Sequence, residues 1–369
     1  MKQETKDLIL LNMIEGFGSR TFHVLIQKFG VPSNILGASE AELKNLEALK
    51  GDLHKRISRA ASTIDLQAEL DLIESEKVSI VTIFDQGYPE NLRQIPDAPI
   101  ALYVKGELCR EDIVAVAVIG SRRASQYGLS ASESLSAALV SCGLTVVSGM
   151  ARGIDSAAHK GALKAGGRTI AILGSGLANI YPPENKGMAE RISENGALIS
   201  EFPMRAEPKR QNFPMRNRII SGLSLGVVVV EAARRSGALI TANLALEQGR
   251  EVFAVPGKIN SLTSTGTHSL IKQGAKLINN VDDILEELAP QLEFLKKDLT
   301  KIPGGTRPSN IAMTSFEERL YKLLSDEPKH IDRLSSECDI APGEMTNALM
   351  GLQIKALVKE LPGKNYVAR

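Results

Sequence analysis

Residues 205–218 gather five cations, Arg205, Lys209, Arg210, Arg216 and Arg218, with Glu207 as the lone acidic residue among them. Phe213 stands in their midst, with Asn212 and Asn217 nearby. A basic loop around one aromatic ring suits a single nucleic-acid strand, because the cations meet phosphates and the ring stacks on a base. The competing arrangement is a salt-bridged surface loop with Phe213 packed inward, and neighbouring carboxylates for it are scarce. A second set of residues points the same way. Gly120-Ser121, Ser148-Gly149, Gly174-Ser175-Gly176 and Ser236-Gly237 are small-residue turns, each following an apolar β-branched run. Such turns let backbone amides approach an anion, and the helix N-termini behind them add positive partial charge. Tight helix–sheet packing is the alternative use of any one of them.

Other chemistries lack their residues. No GxGxxG follows the first strand and no Gly-Lys-Ser/Thr loop occurs, which disfavours a dinucleotide dehydrogenase or a P-loop NTPase. No GxSxG elbow is present. His23, His54, His159, His268 and His330 have no metal-ligand spacing, and Cys109, Cys142 and Cys338 form no CxxC pair. No metal site or cofactor is expected, His159 reads as a core histidine, and the cysteine usage fits a reducing cytoplasm.

The elements that would carry these turns follow from periodicity. Residues 1–75 read as helical: Leu8, Ile9, Leu11 and Met13 precede Glu15-Gly16-Phe17-Gly18, and Phe22, Leu25, Ile26 and Phe29 follow at helical spacing. This is a helix-hairpin-helix pattern. Its turn amides can hold a phosphate, although the segment's acidity favours a structural role. Residues 76–110 read as a linker with one short strand, Ala101 to Val104. From Ile113 the register changes to strand, loop and helix in repetition, with strands at 113–119, 144–147, 169–173, 197–200, 227–230 and 251–255. That pattern predicts an α/β, Rossmann-like doubly wound parallel sheet over 111–290, whose ligands bind outside the carboxyl ends of the strands. Residues 291–313 read as a flexible linker. Residues 314–369 read as three helices and a two-stranded hairpin, a winged helix. The longest apolar runs are too short to span a bilayer.

The charge is distributed unevenly. The 369 residues carry 44 Lys+Arg and 43 Asp+Glu, a net of +1. Residues 1–110 hold 13 basic and 16 acidic side chains, whereas 111–279 stand at +7. The small total therefore excludes only a protein that is basic all over. Trp is absent and aromatics are 4% of the chain, so an extended base-stacking platform is not expected.

Taken together, several motifs resemble the DNA-processing protein A (DprA/Smf) family. They are Val118-Ile119-Gly120-Ser121-Arg122, the run Val147 to His159, Tyr181-Pro182-Pro183-Glu184-Asn185, and the run Asn212 to Leu223. Glu231-Ala232 with Arg235 to Ala242, and Val255-Pro256-Gly257 with Gly266-Thr267-His268, complete the set. The resemblance implies a single-stranded-DNA-binding protein of natural transformation that protects incoming strands and helps load the RecA recombinase. It also implies a homodimer and no enzymatic activity. Carried onto this chain, it places Arg122 on a phosphate, Arg210 where lysine is common, and Phe213 on a base. Pro183 stands where some members have lysine, so either Lys186 supplies that charge or the contact is missing. The expected DNA-binding set is Ser121, Arg122, Ser148, Gly149, Gly174, Lys186, Arg210, Phe213, Arg216, Asn217, Arg218, Ser236 and Gly237. Leu262, His268, Leu270 and Ile271, within 259–278, match a region of dimer contact or else pack in the core. An enzymatic alternative is a Rossmann-like phosphoribohydrolase of the lysine-decarboxylase type. It needs a glutamate where Leu244 stands, and a winged helix reading duplex DNA is a third reading.

Overall fold

In the computed structural model, which describes residues 1–46, 49–299, 314–324, 328–338, 340–355 and 357–368, helical apolar spacing folds the start of the chain into six helices among the described residues. They are α1 (Gln3–Met13), α2 (Ser19–Phe29), α3 (Pro32–Gly37), α4 (Glu40–Lys44), α5 (Leu53–Thr63) and α6 (Leu66–Ser75). Leu8, Leu11, Phe22, Leu25, Ile35, Leu43 and Ile57 close their core. In the turn between α1 and α2, the carbonyl of Glu15 accepts from Arg56 Nη1 at 2.9 Å. Asp52 pairs with that guanidinium at 2.9 Å.

The expected linker over 76–110 is a folded part of the sheet. It contains β1 (Ser79–Thr82), α7 (Glu90–Arg93) and β2 (Ala101–Gly106). β1 pairs antiparallel with β2. Tyr88 and Leu92 are buried in the main core, and Asn91 Nδ2 donates to the carbonyl of Ile113 at 2.8 Å. The β-branched run through Ile80 and Val81 is what makes this stretch a strand.

The Rossmann-like unit runs β3 (Ala115–Ile119), α8 (Gln126–Ser141), β4 (Thr145–Ser148), α9 (Ile154–Lys164), β5 (Thr169–Ile172), α10 (Lys186–Glu194), β6 (Ala197–Ser200), α11 (Asn212–Leu223), β7 (Gly226–Val229), α12 (Gly237–Glu247), β8 (Glu251–Ala254), α13 (Thr265–Lys272), β9 (Lys276–Leu277) and α14 (Val281–Leu299). The sheet order is β1-β2-β6-β5-β4-β3-β7-β8-β9, parallel from β6 to β9, with β2 antiparallel to β6. Ala115, Ala117 and Ile119 serve the core on one face with Val227 and Val229. Val116 and Val118 serve the other with Val228. Both faces are covered, which is why these strands are apolar throughout rather than alternating. The chain leaves β3 toward β4 on one side and returns to β7 on the other, so the topological switch lies at β3.

α14 runs on to Leu299, so the first nine residues of the expected linker over 291–313 are helical; the rest lie outside the described residues. The last unit comprises α15 (Ser315–Leu323), β10 (Lys329–His330), α16 (Ile331–Cys338), α17 (Pro342–Ile354), β11 (Val358–Leu361) and β12 (Asn365–Ala368). Its sheet has three strands, because β10 adds to the hairpin on the β12 side.

His159 of α9 is fully buried. Its Nδ1 meets Thr169 Oγ1 at 2.7 Å, and that hydroxyl donates onward to the carbonyl of Val146 at 2.8 Å. The imidazole Nδ1 is therefore the donor, and burial, with the charge of Arg216, pushes the ring's pKa down to about 3. An unfolded histidine titrates near 6.5. Between pH 6.5 and about 3 only the unfolded chain takes up this proton, so the contribution is complete above 6.5 and is lost as pH falls. At about 1.4 kcal/mol per unit, lowering the pH to 5 should cost about 2 kcal/mol at this site. His159→Asn, which keeps a donor toward Thr169, should show a smaller drop in urea midpoint from pH 7 to pH 5 than the parent.

Candidate nucleic-acid interface

The loops that leave the carboxyl ends of the parallel strands enclose an open groove of 1130 Å³. Its walls come from six successive strand ends. Leu262 and Thr263 follow β8, Ser236 and Gly237 follow β7, and Ser121, Arg122 and Arg123 follow β3. Ala151 and Asp155 follow β4, Tyr181 follows β5, and Arg210, Phe213, Arg216 and Asn217 follow β6.

Residues 212–218 belong to helix α11, not to the loop that their run of cations suggests. Pro214 is tolerated there because it lies in the first turn, where its missing N–H is no loss. Phe213 and Arg216 are three residues apart and share one face. Arg216 is buried. Its Nη1 donates to the carbonyl of Gly149 at 2.5 Å and to that of Ile172, and its Nε donates to Asn217 Oδ1 at 3.2 Å. Burial lowers its pKa to about 10, against the opposing charge of Asp155, so it remains a cation at neutral pH. The guanidinium centre lies 6.0 Å from the Phe213 ring centroid. Arg122, exposed at the end of β3, lies 4.9 Å from the same ring. A Cβ at Gly174 would stand 2.9 Å from Phe213 Cδ1, so the missing side chain there seats the ring.

The neighbouring turns are fixed from below. Ser121 N–H donates to the carbonyl of Glu231 at 2.7 Å. Glu231 in turn accepts from Ser125 N–H at 2.8 Å and Ser125 Oγ at 2.5 Å, holding the start of α8. Asn185 Nδ2 donates to the carbonyl of Met150 and to Ser156 Oγ, both at 2.8 Å. Ser236 caps α12 by accepting from Ala238 N–H at 3.3 Å, and a Cβ on Gly237 would meet nothing within 4 Å. Asp155 is buried, and that burial raises its pKa despite Arg216 beside it.

Eight of the expected residues therefore line the groove: Ser121, Arg122, Arg210, Phe213, Arg216, Asn217, Ser236 and Gly237. Five do not. Ser148 is buried, donating from Oγ to the carbonyl of Val118 at 2.6 Å. Gly149 is covered by Arg216, and Gly174 lies under Phe213. Lys186 is exposed at the start of α10, outside the groove lining. Arg218 points away from it, pairing with Glu201 and with Asp97 at 3.7 Å. Two residues apart on a helix is about 200°, which separates Arg218 from Arg216. Of the expected dimer residues, Leu270 is buried in the core and Ile271 packs against it. His268 Nε2 lies 3.0 Å from the carbonyl of Gly257, whereas Leu262 is 81% exposed. Sequence reasoning did not single out Tyr181 or Arg123 for this surface, although both sit in or beside strand-end turns. Among the described residues no group of His, Cys, Asp and Glu could hold a metal ion, and no helix is long and apolar enough to cross a membrane.

A family model described as DNA recombination-mediator protein A matches residues 79–289, and a DprA winged helix domain model matches 306–364. Protein Smf of Escherichia coli is 40% identical over 299 residues, covering 81% of this chain and 79% of its own. The DNA processing protein DprA of Streptococcus pneumoniae is 45% identical over 214 residues, 58% of this chain and 76% of its own. A solved structure of the S. pneumoniae protein superposes with a TM-score of 0.69 at 37% identity, over 78% of this chain and 99% of that one. A structure of DNA processing protein A from Helicobacter pylori, described by its single-stranded DNA binding mode, superposes with a TM-score of 0.52 at 29% identity, over 58% and 98%.

A Cβ on Gly149 would crowd Nη1 of Arg216 and stand 2.7 Å from its Cζ. Gly149→Ala should therefore displace Arg216 from the two strand-end carbonyls and cost about 1–3 kcal/mol, the range for overpacking a tight core. A lowered urea midpoint with unchanged slope is the expected reading.

Proposed function

The chain belongs to the DNA recombination-mediator protein A family, and from that premise we propose that its sheet-edge groove binds single-stranded DNA without reading its sequence. The observation that carries this is Phe213, open to the groove and seated between the guanidinium groups of Arg122 and Arg216. Phosphates would meet Arg122 and Arg210, which make no ion pair among the described residues and lie on the groove wall. The amide of Gly237, at the start of α12 and on the groove wall, adds a donor at the same edge. The base facing Phe213 would stack on it, a contact that any base can make.

On this reading the protein acts in the cytoplasm during natural transformation, covering incoming single strands and helping RecA onto them. The role is binding rather than catalysis. Asp155 is the carboxylate on the groove wall, and it is buried, accepting from Ala151 N–H at 3.4 Å. Leu244 stands where the phosphoribohydrolase reading needs a glutamate.

Replacing Arg122 and Arg210 together with alanine removes two phosphate contacts. Oligo-dT affinity should fall, and the slope of log affinity against log salt should flatten by about 1.4. A folded double variant with the parent's affinity and slope would overturn the assignment.

A homodimer completes the proposal. Ile259 and Leu262 are 93% and 81% exposed, and large apolar side chains grouped at one surface mark contact sites. Ile259→Glu with Leu262→Glu should convert a dimer to a monomer in sedimentation velocity while leaving the far-UV circular dichroism unchanged. An unchanged dimer would move the interface elsewhere.

A further inference from the structure

Tyr181 ends the loop after β5 and lies on the groove wall. The residue is 37% exposed. Ile180, the residue before it, packs into the core beneath, but Tyr181 joins no apolar cluster among the described residues. Its hydroxyl has no hydrogen-bond partner among them. The core therefore gains little from this ring. Its position is nevertheless fixed: Pro182, next in the chain, is buried, and Asn185 ties the loop to Met150 and Ser156. The Tyr181 and Phe213 ring centroids are 5.9 Å apart and the planes are inclined at 55°. Rings so inclined cannot sandwich a single flat base, but each can offer a face to a different one. Glu184 would repel a phosphate beside the ring, and Arg152 neutralises it through an ion pair.

We infer that Tyr181 is a second base-stacking residue of the groove, receiving a base adjacent to the one on Phe213, where the strand passes toward the loop after β5. This rests on the single-strand reading above and adds a contact to it. It also gives the strand a course. Phe213 and Arg122 hold it over the middle of the sheet edge, and Tyr181 continues it past β5, away from Ser236 and Gly237. Six strand ends at about 4.8 Å spacing make that edge about 24 Å long, enough for several nucleotides to lie along it.

The test compares oligo-dT with an abasic deoxyribose-phosphate strand of equal length, using Tyr181→Ala, Tyr181→Leu and Tyr181→Phe beside Phe213→Ala and the Arg122/Arg210 double variant. Loss of one stacked base should lower oligo-dT affinity about 5- to 150-fold in Tyr181→Ala. Tyr181→Leu, which keeps apolar bulk without a ring face, should fall similarly and serves if the alanine variant does not fold. Tyr181→Phe should bind like the parent, and affinity for the abasic strand should match the parent's in all three Tyr181 variants, whereas the arginine double variant should lose it. If the Phe213 and arginine variants weaken oligo-dT binding but Tyr181→Ala and Tyr181→Leu stay within twofold of the parent, the inference fails and the groove stands. If Tyr181 variants lose affinity for both strands equally, the ring only supports the loop and the inference fails. If none of the variants changes binding, the single-strand reading of the groove falls, and this inference with it.

Discussion

A buried guanidinium is stable only where its donors are met, and Arg216 meets that condition at the junction of β4, β5 and α11. Its partners are the carbonyls of Gly149 and Ile172 and the side chain of Asn217. These contacts place the start of α11 across the ends of two strands. Phe213 lies three residues earlier on the same helix face and is carried over Gly174 as a result. The ring is thus held by the helix and by two flanking arginines, and it is only partly buried on the groove wall. A ring buried by its own packing would be useless to a base, and a ring on a free loop would pay the entropy of ordering on every binding event.

Electrostatics then decides which cations remain available. Arg168 is committed to Asp112, through Nε at 2.6 Å and Nη2 at 2.8 Å. Arg218 is committed to Glu201 and Asp97, and Lys276 to Glu286 and Glu287. Arg122, Arg123, Arg210, Arg234 and Arg235 have no carboxylate partner among the described residues, and all five are exposed at strand-end loops. Several cations are thus spent on folding, whereas these five stay unpaired at the strand-end loops, where salt screens their field over about 10 Å.

The strands of the parallel sheet are legible because burial on both faces leaves an uninterrupted apolar run, as at Val116 to Ile119 and Val227 to Val230. The groove was legible for the same reason: strand ends in this architecture share one edge. What the sequence concealed was the direction of individual side chains. Arg216 and Arg218 look alike in a basic segment read as a loop, and only the helix starting at Asn212 sends one to the groove and the other to Glu201. Ser148 looks like a turn residue, yet it ends β4 and its hydroxyl is turned to β3. Gly149 and Gly174 do shape the site, but by leaving room for Arg216 and Phe213 rather than by presenting amides. Leu270 belongs to a helix whose inner face is core, which spacing alone could not separate from an interface. In the stretch 76–110 the strand at Ala101 to Val104 is legible as β2, but the proline-rich turns hide the four residues of β1 that pair with it.

The acidic first hundred residues have a physical part in the same site. Asn12 Nδ2 donates to the carbonyl of Glu201 at 2.8 Å, and Glu69 Oε1 accepts from Met204 N–H at 2.7 Å. Both contacts grip the chain just after β6, immediately before the cations begin at Arg205. Asp97 lies between Arg20 of α2, at 3.9 Å, and Arg218 of α11, at 3.7 Å. The back of α11 therefore faces carboxylates and its front faces the groove. A basic domain in that position would repel Arg218; an acidic one neutralises the rear of the helix and leaves Arg122 and Arg210 unpaired at the front. The negative charge of the N-terminal helices and the positive charge of the groove are thus two sides of one arrangement, in which the helical domain holds the basic segment from behind.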